Sequence, residues 1–222
     1  MAKLTKEKGF EIREYYSNEL EKIVCERHNL FQIGGTKTKI DGSNGIVNKS
    51  IKNASGSSTQ VHLTTQKKFI ESLKIDINSA KFINLFCGDK NINNNGTDRY
   101  SVREIEPFLV ESFKNFLNEN KIKIIDLIVR NGFDITHIIF NDIKNKKEYE
   151  LSYSEIITKC LECEWVFLRG GIHLKNFNGK TYFHLQREGK KNSKNRYNVL
   201  LHIHKNLFIQ YFPIYFLLFL SI

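Results

Sequence analysis

The stretch from Trp165 to Phe208 limits the possible folds most. It holds three short runs, "WVFLRGGIHLKNF", "KTYFHLQRE" and "NVLLHIHKNLF", joined by "NG" and by "GKKNSKNR". Each run is rich in aromatic and β-branched residues, and the joints are turn chemistry, so the segment reads as successive antiparallel strands. Such strands cannot fold alone; their apolar face must be covered by another layer. A chain of 222 residues is long enough to form one domain with a substantial core.

Upstream, "FEIREYYSNELEKIVCERH" (10–28) places Phe10, Ile12, Tyr16, Leu20, Ile23 and Val24 at mostly three- and four-residue steps, which predicts a first helix. "TKTKID" (36–41) alternates as a strand does, "GSNG" turns, and "IVNKSIKN" reads as an antiparallel partner. "TQVHLTTQKKFIESL" (59–73) reads as a helix capped by Ser58 or Thr59. "KFINLFCG" (81–88) reads as a buried strand. A Ser101 cap, with Glu104 three residues on, opens a helix over 101–120 in which Pro107 either kinks the helix or starts a second one. "THIIFND" and "KKEYELSY" flank a lysine-rich turn as a hairpin, and a helix over 154–163 follows. The expected class is α/β, bordering on α+β: one domain with a central mixed sheet flanked by helices.

Charge is unevenly placed. The chain carries +10, and from Trp165 to Lys205 nine Lys or Arg stand against one acid, Glu188, so that this segment alone supplies +8. A basic surface gathered on strands calls for a polyanion, with nucleic acid ahead of an acidic membrane. A β-ribbon fits the major groove, where Arg donates to guanine and Gln or Asn pairs with adenine, while Lys meets phosphates. On that basis Arg169, Gln186, Arg187, Lys190, Lys191, Asn192, Lys194, Asn195 and Arg196 are candidate contacts to double-stranded DNA. His202 and His204 share a strand face; the pair could meet bases or phosphates, bind a transition metal, or act as a base.

The four cysteines suit a reducing interior, and the first residues have no apolar run of the signal-peptide kind, so a cytoplasmic location is expected. Cys160 and Cys163 have C-x-x-C spacing without a second Cys or His pair to complete a zinc tetrad, and they read as the buried stripe of a helix. The charge-free "LFIQYFPIYFLLFLSI" (207–222) is short against the roughly 20 residues of a membrane span. It could be a tail anchor, a buried terminal element, or an out-of-frame extension of a domain ending near Phe208. It names no firm membrane partner.

The chemistry centres on "KIDGSNGIVNKSIKN" (39–53). Ser50 and Lys52 share a strand face, and pairing with the preceding strand would bring Asp41 to it. A carboxylate beside an ammonium is what phosphodiester hydrolysis uses: the acid holds Mg²⁺ and the amine stabilises developing charge or orients water. The stretch resembles the PD-(D/E)XK nucleases, type II restriction endonucleases in particular. Asp41 matches the metal-binding Asp, and Lys52 the catalytic Lys. Ser50 stands where an acid is typical, leaving the metal site one charge short.

The resemblance implies Mg²⁺, a nuclease-like domain over 1–206 and a homodimer on a palindromic site. Within that domain, 1–120 would be the catalytic core and 134–206 the DNA-binding strands. It also implies a further acid from the first helix, Glu19 or Glu21, to complete the metal site. "SGSSTQVHL" (55–63) offers backbone N–H groups to a phosphate, with Gln60 and His62 near enough to align DNA. A nucleic-acid-binding protein without catalysis, in which Ser50 marks a decayed site, is the alternative.

Overall fold

The computed structural model describes residues 11, 15–33, 38–88, 99–169, 171–188 and 197–209. The fold is mixed α/β and has, among the described residues, ten strands in two five-stranded sheets and six α-helices. The first sheet has the order β1 (Phe31–Gln32), β2 (Gly42–Ser43), β3 (Asn48–Ala54), β5 (His137–Asp142), β6 (Lys147–Ser152). Its centre is the parallel pair β3–β5, and its other pairs are antiparallel. The second is antiparallel throughout: β4 (Ser58–Thr65), β10 (Asn198–His204), β9 (Thr181–Arg187), β8 (Gly171–Lys175), β7 (Glu164–Leu168). The strands expected in one mixed sheet therefore divide into two.

The helices are α1 (Leu20–Arg27, after a π-turn over Tyr15–Glu19), α2 (Gln66–Leu73), α3 (Ile77–Cys87), α4 (Pro107–Glu119), α5 (Lys121–Val129) and α6 (Tyr153–Leu161). None of the described helices is long and apolar enough to cross a membrane. Residues 210–222 lie outside the described residues, while Leu207 and Phe208 are buried in the main core.

Three local expectations give way to the structure. The segment 59–73 is strand β4 followed by α2, and the cap is Thr65, whose Oγ1 accepts from Lys68 N at 3.3 Å. "STQVHLTT" is rich in β-branched residues, and pairing along β10 outweighs the helix-start signal of its Ser and Thr. The apolar run at 81–88 is the second half of α3, which Asp76 caps by accepting from Asn78 N and Ser79 N, both at 3.0 Å. Its buried positions Ser79, Phe82, Ile83, Phe86 and Cys87 follow helical spacing. Of the expected strand over 36–41, residues 38–41 are not strand and the pairing with β3 is made by β2, just after Asp41; residues 34–37 lie outside the described residues.

Other expectations need smaller adjustment. Pro107 begins α4, and the Ser101–Glu104 capping box closes only a 3-10 turn over Val102–Glu104. The β5–β6 hairpin and α6 lie where they were read. The first of the three basic runs folds back on itself as β7 and β8. Cys160 and Cys163 are buried free thiols.

The main core joins α3, α4 and α5 to the inner face of the second sheet, with Phe82 stacked on Phe113 at 4.9 Å and Phe167 of β7 edge-on to Phe82. A smaller cluster of Val24, Cys25, Leu30, Ile51 and Ile139 seals α1 against β3 and β5. The ends of the two sheets are tied where Lys205, just after β10, reaches Asp142 at the end of β5. Lys205 Nζ donates to Asp142 Oδ2 at 2.8 Å, and Asn145 donates to the same carboxyl.

Burial alone would raise the pKa of Asp142, but hydrogen bonds from Asn145 and Lys205 hold it below the usual carboxylate range. Asp142 is 1% exposed, whereas Lys205 keeps 22% of its side chain in solvent, so the pair is worth less than a fully buried one. Asp142→Asn is expected to cost about 2 kcal/mol, read as a fall of several degrees in Tm; an unchanged Tm would remove this tie from the account.

Candidate active site

The main chain of Asp41 is hydrogen-bonded through both its N–H and its carbonyl. Its N–H donates to Lys49 O at 2.9 Å, and its carbonyl accepts from Ile33 N at 3.0 Å. Gly42 follows because nothing larger fits: a Cβ there would meet Cys25 Sγ at 2.7 Å and Leu30 at 3.1 Å. The carboxylate is thereby turned onto β3. Its Oδ2 accepts from Ser50 Oγ at 3.0 Å, from Ile51 N at 2.6 Å and from Lys52 Nζ at 3.3 Å. The side chains of Asp41 and Lys52 are only 13% and 18% exposed, and Ser50 is wholly buried. In such surroundings a charge-assisted contact is stronger than it would be in water.

Ser50 has a physical role at this spot. Its hydroxyl donates to the carboxylate that an acid in its place would repel. A second carboxyl comes from α1, where Glu21 is pushed up to about 8, first by burial and then by the negative charge of Asp41, with Lys52 opposing. The Cys25 thiol, on the same helix, is raised to about 11 by burial, then by Asp41 and Glu21. Of the two glutamates proposed for the first helix, Glu21 therefore stands in the electrostatic field of Asp41. Glu19 is exposed at the start of α1, and among the described residues no contact ties it to the site.

Two further groups belong to this cluster. Lys39 has no motif to mark it. Its ammonium donates to Ile128 O at 2.6 Å and Leu127 O at 3.4 Å, at the C-terminal end of α5. Burial and then the charge of Lys52 bring it down to about 7. The only signal in the sequence is its place two residues before Asp41. His62 on β4 is lowered to about 4 by burial and then by Lys39, which places it on this side of the molecule.

The other expected DNA contacts are spread out. A register shift beside Leu201 and His202 pairs His62 with Leu201 but Gln60 with His202. Gln60 and His62 therefore lie on opposite faces, because successive residues of β10 alternate. Gln186, His202 and His204 share the outer face of the second sheet with Gln60, and Gln186 Nε2 lies 3.1 Å from His202 Nε2. Arg169 is exposed.

Arg187 is committed internally. Its Nη1 donates at 2.8 Å to both Phe86 O and Tyr100 O, its guanidinium lies over the Phe86 ring, and burial lowers its pKa. It ties the end of α3 to the segment at Tyr100. Lys190, Lys191, Lys194 and Arg196, with Asn192 and Asn195, lie outside the described residues.

The donor set fits a hard cation. Mg²⁺ uses one or two carboxylates and fills its shell with water and phosphate oxygens, and Asp41 and Glu21 are two carboxyls under each other's influence. Among the described residues no group of three or more His, Cys, Asp or Glu converges as a metal cage.

No protein-family model matches the chain, and no curated protein does. Among solved structures, the chain is similar to the restriction endonuclease MspI in complex with its cognate DNA. The TM-score is 0.49 at 11% identity, over 86% of this chain and 82% of that one.

Because the Glu21 carboxyl holds its proton to about pH 8 when folded and loses it near its ordinary 4.5 when unfolded, the metal-free fold gains from that proton below 4.5. The gain is lost as pH rises toward 8. The metal-free parent should therefore lose stability relative to Glu21→Gln across that window, measured by urea unfolding. Parallel pH profiles would show that Glu21 is not held protonated.

Proposed function

We propose that this chain is a Mg²⁺-dependent endonuclease of double-stranded DNA, cutting at specific sequences in the manner of type II restriction enzymes. The observation that carries the reading is the Asp41–Lys52 contact of 3.3 Å, made beside a second carboxyl, Glu21, on α1. Asp41 and Glu21 would hold Mg²⁺, which when bound supplies neutralisation of phosphate charge and acidification of water.

The residues of the chain have separate tasks in this reading. Ser50 and the Ile51 N–H hold the Asp41 carboxylate in one orientation through Oδ2. Lys52 presents a positive charge to the non-bridging oxygens of the scissile phosphate, where negative charge builds in the transition state, or orients the attacking water. Lys39 fixes the segment that carries Asp41 to the end of α5. The excess of positive charge over 165–205 attracts the duplex, with lysines meeting phosphates and the exposed Arg169 available for contact.

One site of this kind cuts one strand, so a homodimer matched to a palindrome follows from the reading. A cytoplasmic enzyme would have that substrate at hand. Ser50 favours one competing reading, a DNA-binding protein without catalysis, because it replaces the carboxylate that the family motif places there.

Plasmid DNA incubated with Mg²⁺ separates the two. The parent is expected to linearise it at fixed sites. Asp41→Ala and Lys52→Ala are each expected to lose about a hundredfold or more in rate while retaining duplex binding. A parent that binds duplex but leaves it intact with Mg²⁺ and Mn²⁺ would make this a binding protein, and variants as fast as the parent would end the catalytic assignment.

A further inference from the structure

Away from this site, the outer face of the second sheet carries four histidines. His173 on β8, His184 on β9 and His202 on β10 are direct cross-strand partners, and His204 follows two residues after His202 on the same face. The rings of His173 and His202 stack on either side of His184, at 5.2 Å and 4.4 Å between centroids, and His204 meets His184 edge-on at 4.9 Å. All four are half-buried. Burial is the first cause holding each below its ordinary pKa. Four imidazole rings are thus packed against one another on one face of the sheet.

Stacked rings do not aim their nitrogens at a common point, and this accounts for the lack of a three-donor metal cage among the described residues. One pair does converge. His184 Nδ1 and His204 Nε2 lie 2.6 Å apart, one ring N–H donating to the other ring nitrogen. The pair is diagonal, from adjacent strands, so the backbone ladder fixes its separation. Zinc–imidazole bonds of about 2.0–2.1 Å in a tetrahedral shell put two ligand nitrogens about 3.3 Å apart. Small ring rotations that separate these two by about 0.7 Å would admit the ion. His202 Nε2 lies beside Gln186 Nε2, and the Gln186 side chain hydrogen-bonds His184 as well.

We propose that His184 and His204 form a two-imidazole site for a borderline divalent cation, Zn²⁺ or Cu²⁺, whose remaining positions are filled by water. The donors are the wrong kind for Mg²⁺ and the right kind for these ions, so the site is distinct in place and in chemistry from the Asp41–Glu21 carboxyls. Bound there, a cation clips β9 to β10.

The test uses the untagged full chain in excess Mg²⁺, titrated with Cu²⁺ alone and followed by calorimetry and electron paramagnetic resonance. The expected result is one tight Cu²⁺ per chain with couplings from two nitrogens, weakened at least about tenfold in His184→Ala and in His204→Ala. His173→Ala, which removes a stacked ring but neither converging nitrogen, should keep the two-nitrogen signal. The spectrum of the parent does not depend on any variant folding. A parent signal with one nitrogen coupling or none, or a His173→Ala loss equal to that of His184→Ala, would overturn the assignment. The experiment needs no DNA cleavage, so its outcome is separate from that of the nuclease reading.

Discussion

A single carboxylate oxygen organises the region around the proposed centre. Asp41 Oδ2 takes hydrogen bonds from Ser50 Oγ, the Ile51 amide and Lys52 Nζ, which are consecutive residues of β3. Three donors on one oxygen define the direction of the carboxyl far better than any rotamer preference could. They also fix Lys52, whose long side chain would otherwise sample many conformations. The geometry that a phosphate would meet is therefore set before any ligand arrives.

The packing around that oxygen explains why it stays in place. The cluster of Val24, Cys25, Leu30, Ile51 and Ile139 presses α1 onto the parallel pair β3–β5. The absence of a Cβ at Gly42 lets Cys25 approach directly behind Asp41. The same packing that brings α1 close also brings Glu21 into a poorly solvated place near a like charge, and this is why its carboxyl keeps a proton. A divalent cation bound there would take the place of that proton. On the far side Lys39 anchors the approach to Asp41 on α5, and so the site connects the first sheet with the helical layer.

Much of this was legible in the sequence, and the reasons for the rest are specific. The i, i+2 rule put Ser50 and Lys52 on one face, and the turn residues 42–45 placed Asp41 opposite them. Strands β5, β6, β9 and β10 were visible because alternation and turn chemistry agree there. Helix α3 was hidden because its apolar residues from Phe82 onward look the same as a buried strand when Asp76 and Ser79 are left outside the window. Strand β4 was hidden because Ser58 and Thr59 have the chemistry of a helix cap. The separation of Gln60 from His62 depends on a bulge that no local pattern announces. Arg187 looked like a DNA contact, since a basic residue on a basic strand gives no hint that two carbonyls 87 and 101 positions away will claim it.

The central claim is that Asp41 and Glu21 share a divalent cation beside Lys52. Crystals grown with Mn²⁺, measured for anomalous scattering at the manganese edge, test it without reference to activity. One strong peak is expected between the carboxyls of Asp41 and Glu21, absent from crystals of Asp41→Ala. A well-ordered site with both carboxyls in view and no peak between them would contradict it.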